Sequence, residues 1–350
     1  MWQSQSDIHW IQVESTSLCQ AGCIDCNRWR PVDDQWHLNG DHHQMNSYMP
    51  LEQWRNIIQQ FDSLRCVNLC GNMGDPMAHP QATEISRAVV EHLDHCRVEI
   101  NTNAAIGTIE QWRSMGRLPR IEMVCGIDGL EDTLHIYRRG VEWDRVMERT
   151  QAYIQAGGDC VWKWVDFPHT RHQIDQAREM AEQLGFSRFE IKPRFTQDKE
   201  FDDEIVRMAD QPVLRNKWYH SPQVSSEQMI DQHNSKCQDL LDEGIRVDPR
   251  CQQTPDKDYH HPMPHINVDA TFWPCCFTAC GPYHISPQHR AWWHRLEKDY
   301  GPSWNDLSRH SVNEVIQHDF FQKFLPQSWQ DSKAESSVLT CLQVCGECVR

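Results

Sequence analysis

Three thiols stand within the stretch "SLCQAGCIDCNRW" at residues 17–29: Cys19, Cys23 and Cys26. Structural zinc sites usually take four ligands, commonly supplied as CxxC pairs. Three thiolates on one loop suit a [4Fe–4S] cluster with one iron left for a ligand from outside the chain. More cysteines gather near the other end, in "PCCFTAC" (Cys275, Cys276, Cys280) and "CLQVCGECVR" (Cys341, Cys345, Cys348). Sixteen cysteines in a small secreted chain would read as disulfides. Here the chain has 350 residues and begins "MWQSQSDIHW", with no basic start leading into an apolar run. Clustered thiols in a reducing, cytoplasmic compartment point to metal binding.

These loops need elements to position them. Strand-like runs occur at 9–14, 65–70, 97–102, 121–127, 160–165 and 188–193. Helical patterns lie between them. "LEQWRNIIQQF" places Leu51, Trp54, Ile58 and Phe61 on one stripe, and "ATEISRAVVEHL" does the same with Ile85, Val89 and Leu93. "EWDRVMERTQAYIQAGG" and "HQIDQAREMAEQLG" end in glycines suited to helix C-termini. The period of about thirty residues is that of a βα unit, and six strands alternating with helices imply a parallel sheet. Regularity fails after about residue 196. "QDKEFDDEIVRMADQ" reads as a helix, 211–265 lacks clear periodicity, and "PHINVDATFWP" reads as a hairpin turning at Asp269–Ala270. "SVNEVIQHDFFQKFL" reads as one helix, with Val315, Phe320 and Phe324 among its apolar positions. A soft boundary falls near 200, giving units 1–200 and 201–350.

CxxxCxxC after the first strand of such an array resembles the radical S-adenosylmethionine (SAM) superfamily. Further motifs follow in order at strand ends. "GNMGDP" (71–76) resembles GGEP, "NTNA" (from 101) resembles TNG, and "GIDG" (126–129) resembles SIDG. The resemblance covers roughly residues 9–195. Three departures are Asp25 in a place often aromatic, the looser GGEP, and Gly126 for Ser. The resemblance implies a partial (β/α)6 barrel and a cluster on Cys19, Cys23 and Cys26. It implies that SAM chelates the fourth iron through its amino and carboxylate groups. It further implies SAM contacts at Gly71, Asn72, Gly74, Asp75, Asn101, Thr102, Asn103 and Asp128. The 71–75 turn would meet the methionyl ammonium, and Asp128 the ribose. "INVDATFWPCC" and the closing cysteines are similar to the SPASM and twitch extensions. That likeness implies one auxiliary [4Fe–4S] cluster on Cys251, Cys275, Cys341 and Cys345, with Cys276, Cys280, Cys348 and Cys237 as possible replacements.

The implied chemistry is electron transfer to SAM, release of a 5′-deoxyadenosyl radical, and hydrogen abstraction from a substrate C–H bond. The electron would come from a flavodoxin or ferredoxin. The substrate would be a peptide or protein side chain, or a small molecule such as a sugar. Catalytic acid and base residues are not legible. Strand ends five and six offer Lys163, Asp166, His169, Lys192 and Arg194, with Arg194 suited to gripping a carboxylate of SAM or substrate. Cys66, Cys70, Cys96, Cys125 and Cys160 read as packed small hydrophobes, with Cys70 the one that would face the site. The formal charge of -16 weighs against an RNA-modifying enzyme. A non-catalytic zinc-stabilised interaction protein is the other alternative, with His260, His261, His265 and His284 near the tail cysteines. No window is apolar enough to cross a membrane.

Overall fold

The computed structural model describes residues 1–24, 26–32, 35–39, 46–194, 199–209, 211, 213–220, 224–249, 251, 263–280, 287–331 and 333–348. Asp25, His260, His261 and His284 lie outside the described residues, as does the side chain of Cys348.

Eight strands form the main sheet. They are β1 (Trp10–Val13), β2 (Cys66–Leu69), β3 (Arg97–Thr102), β4 (Ile121–Gly126), β5 (Asp159–Val165), β6 (Arg188–Lys192), β7 (His265–Ile266) and β8 (Phe272–Trp273). Their order across the sheet is β8-β7-β1-β2-β3-β4-β5-β6. β1 to β6 run parallel in sequential order. Right-handed crossovers that always step the same way place every connecting helix on one face and curl the sheet. The result is a barrel left open between β6 and β8. The six strands and the hairpin lie where the sequence places them.

Five helices cover the outer face: α1 (Leu51–Ile58), α2 (Ala82–His92), α3 (Ile109–Gly116), α4 (Trp143–Gln155) and α5 (Ile174–Leu184). Each turns a stripe inward, such as Leu51, Trp54, Ile57 and Ile58 of α1. α5 stops at Gly185, whose φ of +82° is costly for other residues. The period of two sorts the strands. In β3, Val98 and Ile100 are buried toward the helices, while Glu99 and Asn101 line the barrel interior. In β1, Ile11 and Val13 face the core and Gln12 faces inward.

Four parts of the sequence reading change. A hairpin, Trp29–Val32 with Gln35–Asn39, follows the cysteine loop, and Val213–Tyr219 pairs with it in a three-stranded sheet. The stretch without periodicity contains a helix, Ser226–Asp242, opened by a Ser225/Gln228 capping box. Its buried positions are Met229, His233, Cys237 and Leu241. One of these four, His233, is polar, and Cys237 reads as a candidate ligand in sequence, which hides a stripe of four-residue spacing. The single helix read from 311 to 325 is instead Val312–Ile316 followed by a π-helical turn at Phe320–Phe324 and a helix at Leu325–Gln330. Lastly, the hairpin of the C-terminal half joins the main sheet, with β7 parallel to β1 (Gln12 opposite His265). The line near 200 therefore divides the sequence but not the sheet. No helix among the described residues is long and apolar enough to cross a membrane.

Candidate active site

The loop after β1 turns at the C-terminal edge of the sheet, where parallel strands present their following loops together. Backbone bonds fix its course: Gly22 N–H donates to Arg139 O (2.7 Å) and Trp29 N–H to Cys26 O (2.9 Å). Cys19, Cys23 and Cys26 all line one cavity of about 420 Å³, together with the turns after β2, β3 and β4. Burial pushes all three thiols up, Cys23 to about 12, and repulsion between Cys19 and Cys23 and between Cys23 and Cys26 adds to it. Thiolates here need a cationic partner. Ligands of one tetrahedral zinc ion would have sulfurs about 3.8 Å apart. Among the described residues, Glu14, Cys70 and His265 are the one group of three metal-binding side chains drawn within 4.8 Å of each other. The three loop thiols are not such a group.

Asp75 is buried, and its carboxylate accepts from Met77 N–H (3.0 Å), Asn103 N–H (2.8 Å) and the Thr102 hydroxyl (2.8 Å). Burial raises its pKa, and those bonds pull the other way. Asp75 thus locks the turn after β2 to the end of β3. A Cβ on Gly74 would lie 2.0 Å from Thr16 O, so its lack of a side chain makes room for the cysteine loop. Gly74 also lines the cavity. Gly71 is less crowded, with Gly74 O at 3.0 Å from such a Cβ.

Asn103 reaches the cluster loop: its amide N–H lies 3.5 Å from Cys19 Sγ, and its oxygen accepts from Gln20 (2.7 Å). Asp128 is 1% exposed and accepts from Val165 N–H (2.8 Å) and Arg138 Nε (2.6 Å). Burial opposes the Arg138 charge, but Asp128 and Cys23 outweigh it and hold the guanidinium firmly charged. Asn72 donates toward Cys70 Sγ at 3.6 Å. Asn101 donates to Asn68 (3.3 Å), which in turn donates to Glu99 (2.7 Å). Gln12, Asn68, Glu99, Asn101 and Lys163 give the cavity a polar inner wall.

Arg194 is the expectation the structure directs elsewhere. Both its terminal nitrogens pair with Asp202, and it is not among the residues lining the cavity. Asp166 pairs with Arg171, and His169 stacks on Phe167. Of the five strand-end groups named from sequence, Lys163 lines the cavity, and burial lowers its pKa.

Sequence reasoning missed Glu14, Arg28 and Arg138. Buried Glu14 accepts from Gly74 N–H (2.8 Å) and Met73 N–H (3.0 Å), and desolvation raises it to about 8. Buried Arg28 donates to Ser17 O and Met73 O, bridging the cysteine loop to the turn after β2. A lone charge at the end of an apolar strand or beside the last loop cysteine was the available signal.

At the other end, Cys251, Cys275, Cys341 and Cys345 line a single pocket walled by Val247, Pro274, Phe277, Leu325 and Trp329. Burial raises Cys251, Cys275 and Cys341, and the neighbouring thiols raise them further. Of the replacements considered, Cys237 packs in the core with Leu241, Leu339 and Leu342. Cys276 and Cys280 lie instead toward Cys70 and Glu14. Cys66, Cys96, Cys125 and Cys160 are buried, as packed hydrophobes should be.

Residues 13–181 match the family model of the radical SAM superfamily. No curated protein matches the chain. Among solved structures, SuiB of Streptococcus suis bound to precursor peptide SuiA aligns with TM-score 0.54 and 13% identity over 95% of this chain and 70% of that one. SuiB alone aligns with TM-score 0.50 and 14% identity, over 96% and 73%. SuiB bound to S-adenosylmethionine gives 0.49 and 13%, over 77% and 60%. This chain therefore spans 60% to 73% of the SuiB chains it matches. At such identity the likeness is one of fold.

Proposed function

We propose that the chain, whose residues 13–181 match the radical SAM family model, is an enzyme of that superfamily that uses a [4Fe–4S] cluster and SAM and abstracts hydrogen from a polar substrate held inside the barrel. The substrate class we favour is a peptide side chain, with a small polar metabolite as the other member of the class. The observation carrying this reading is the single cavity in which Cys19, Cys23 and Cys26 meet the turns after three successive strands.

In this reading Cys19, Cys23 and Cys26 hold three irons and leave the fourth to SAM. When bound, the cluster and SAM supply an electron and a 5′-deoxyadenosyl radical able to attack an unactivated C–H bond. The rest is positioning. Asp75 keeps the two turns in register, which leaves the backbone at Gly71 and Asn72 to meet the methionyl ammonium. Asn103 steadies Cys19 by an N–H to sulfur contact. Asp128, clamped by Arg138 and Val165, presents the end of β4 to the nucleoside. Glu99, Asn68 and Lys163 form the wall that a substrate would touch. Cys251, Cys275, Cys341 and Cys345 hold an auxiliary cluster in a SPASM- or twitch-like extension. A reduced flavodoxin or ferredoxin supplies the electron.

The test is anaerobic. Reconstituted enzyme with dithionite and SAM should release 5′-deoxyadenosine, and replacing Cys19, Cys23 and Cys26 together with Ala should abolish it while removing about four irons per chain. Continued 5′-deoxyadenosine release by the triple variant would sink the assignment.

A further inference from the structure

A third constellation adjoins the first thiol group, whose cavity Cys70 also lines. Glu14 follows β1, Cys70 follows β2, and His265 opens β7, the strand that flanks β1 from the far side of the sequence. Their ligand atoms all lie within 4.8 Å of one another. All three residues are buried: Glu14 is 2% exposed, Cys70 5% and His265 1%. We propose that Glu14, Cys70 and His265 form a buried zinc site that ties the ends of β1 and β2 to the C-terminal hairpin.

Three features carry this. The first is geometric. Zn–S and Zn–O bonds of about 2.3 and 2.1 Å at a tetrahedral angle put the two donors about 3.6 Å apart. Cys70 Sγ and Glu14 Oε2 are 3.5 Å apart. The second is an orphan. Buried His265 Nδ1 has no hydrogen-bond partner, and a ligand there would satisfy it, while the ring also interacts with the Asn267 side chain. The third is orientation and charge. Glu14 Oε1 is already held by the Met73 and Gly74 amides, which fixes the carboxylate and leaves Oε2 toward Cys70. One carboxylate, one thiolate and a neutral imidazole balance a divalent ion in a place where uncompensated charge is expensive. The mixed O, S and N donors suit zinc, not magnesium or calcium, which take oxygen ligands. Cys280 and Cys276 lie near enough to act electrostatically on Glu14 and Cys70. Binding is not redox chemistry: zinc replaces the Cys70 thiol proton, and the Glu14 proton where present, and these leave to solvent.

The experiment uses the full chain with its iron–sulfur content reconstituted anaerobically, dialysed against a chelator, then given zinc chloride alone. Zinc and iron are counted together, and zinc-edge X-ray absorption reads the ligands. One tightly held zinc per chain is expected, with sulfur and lighter scatterers. His265→Ala should lower zinc retention at least about tenfold while iron is unchanged. Cys70→Ala should do the same and remove the sulfur scatterer, and it guards against a folding failure of the first variant. His265→Cys should restore binding. Cys341→Ala should cost iron but not zinc. No retained zinc in the parent chain, zinc unchanged in both His265→Ala and Cys70→Ala, or zinc lost with Cys341→Ala would each overturn the proposal. None of these readings depends on SAM cleavage, so the zinc site stands or falls apart from the proposed function.

Discussion

The two thiol groups differ in what surrounds them. Cys19, Cys23 and Cys26 share their cavity with Asn, Asp, Glu, Arg and Lys side chains and with about 420 Å³ of space. Cys251, Cys275, Cys341 and Cys345 share theirs with Val, Pro, Phe, Leu and Trp. An incomplete set of soft ligands beside polar space leaves a coordination position for chemistry. Four thiols binding as a full set in an apolar wall would leave none, which would suit electron storage. The supports differ too. The first loop is held by buried polar staples, Arg28 and Asp75, between strand ends. The second is held by apolar packing and by the antiparallel pairing of Gly346–Cys348 with Ile245–Val247. That pairing already ties the closing segment, so a metal is not needed to explain its order.

The contrast can be broken most sharply by emptying one site at a time. Cys341→Ala with Cys345→Ala should halve the iron if both sites hold four-iron clusters, while SAM cleavage without substrate continues and turnover of the true substrate stops. Loss of SAM cleavage in this double variant would show that the two sites are not separable. The next largest effect belongs to Gly74→Val. Its side chain would collide with the Thr16 carbonyl, so the cysteine loop must move. We expect loss of the N-terminal iron and of SAM cleavage, with the C-terminal iron retained. Iron at the parent level with weakened SAM binding would instead restore the view of this glycine as ligand clearance.

The smallest effect is a pH slope. In the metal-free chain Cys23, Cys66, Cys96, Cys237 and Cys280 are all raised from 9.0 to about 12, with burial the main cause. The unfolded chain loses these protons first, so the stability they contribute is complete below pH 9 and falls as pH rises toward 12. Thermal unfolding of metal-free protein should show a midpoint that drops above pH 9. In loaded protein Cys23 is already a thiolate, and the drop should be shallower. Equal slopes would argue that Cys23 holds no metal.

How much was legible follows from what each feature rests on. The six strands show because β-rich runs recur at a βα spacing, and the cysteine loop shows because its ligands are close in sequence. Four tail cysteines far apart in the chain line one pocket, and they were legible as a group only through the family resemblance, not through spacing. The Ser226–Asp242 helix was hidden by His233 and Cys237 standing in a core stripe. Glu14 and Arg28 were hidden because their partners, the amides and carbonyl of the 71–75 turn, are distant in sequence and belong to the backbone. The Arg194–Asp202 pair was hidden for a related reason: Asp202 lies on a helix whose placement the sequence does not state.

The pairing of β1 with β7 sets a constraint on how the molecule is made. Gln12 and His265 are neighbours in the sheet, yet most of the chain separates them. Such a contact is late and slow to form, because the intervening loop must close before it is rewarded. Until the hairpin arrives, β1 presents a bare edge, a row of unpaired amides and carbonyls open to any other strand. The N-terminal half alone would therefore be prone to edge-to-edge association, and the C-terminal hairpin serves it as an edge guard.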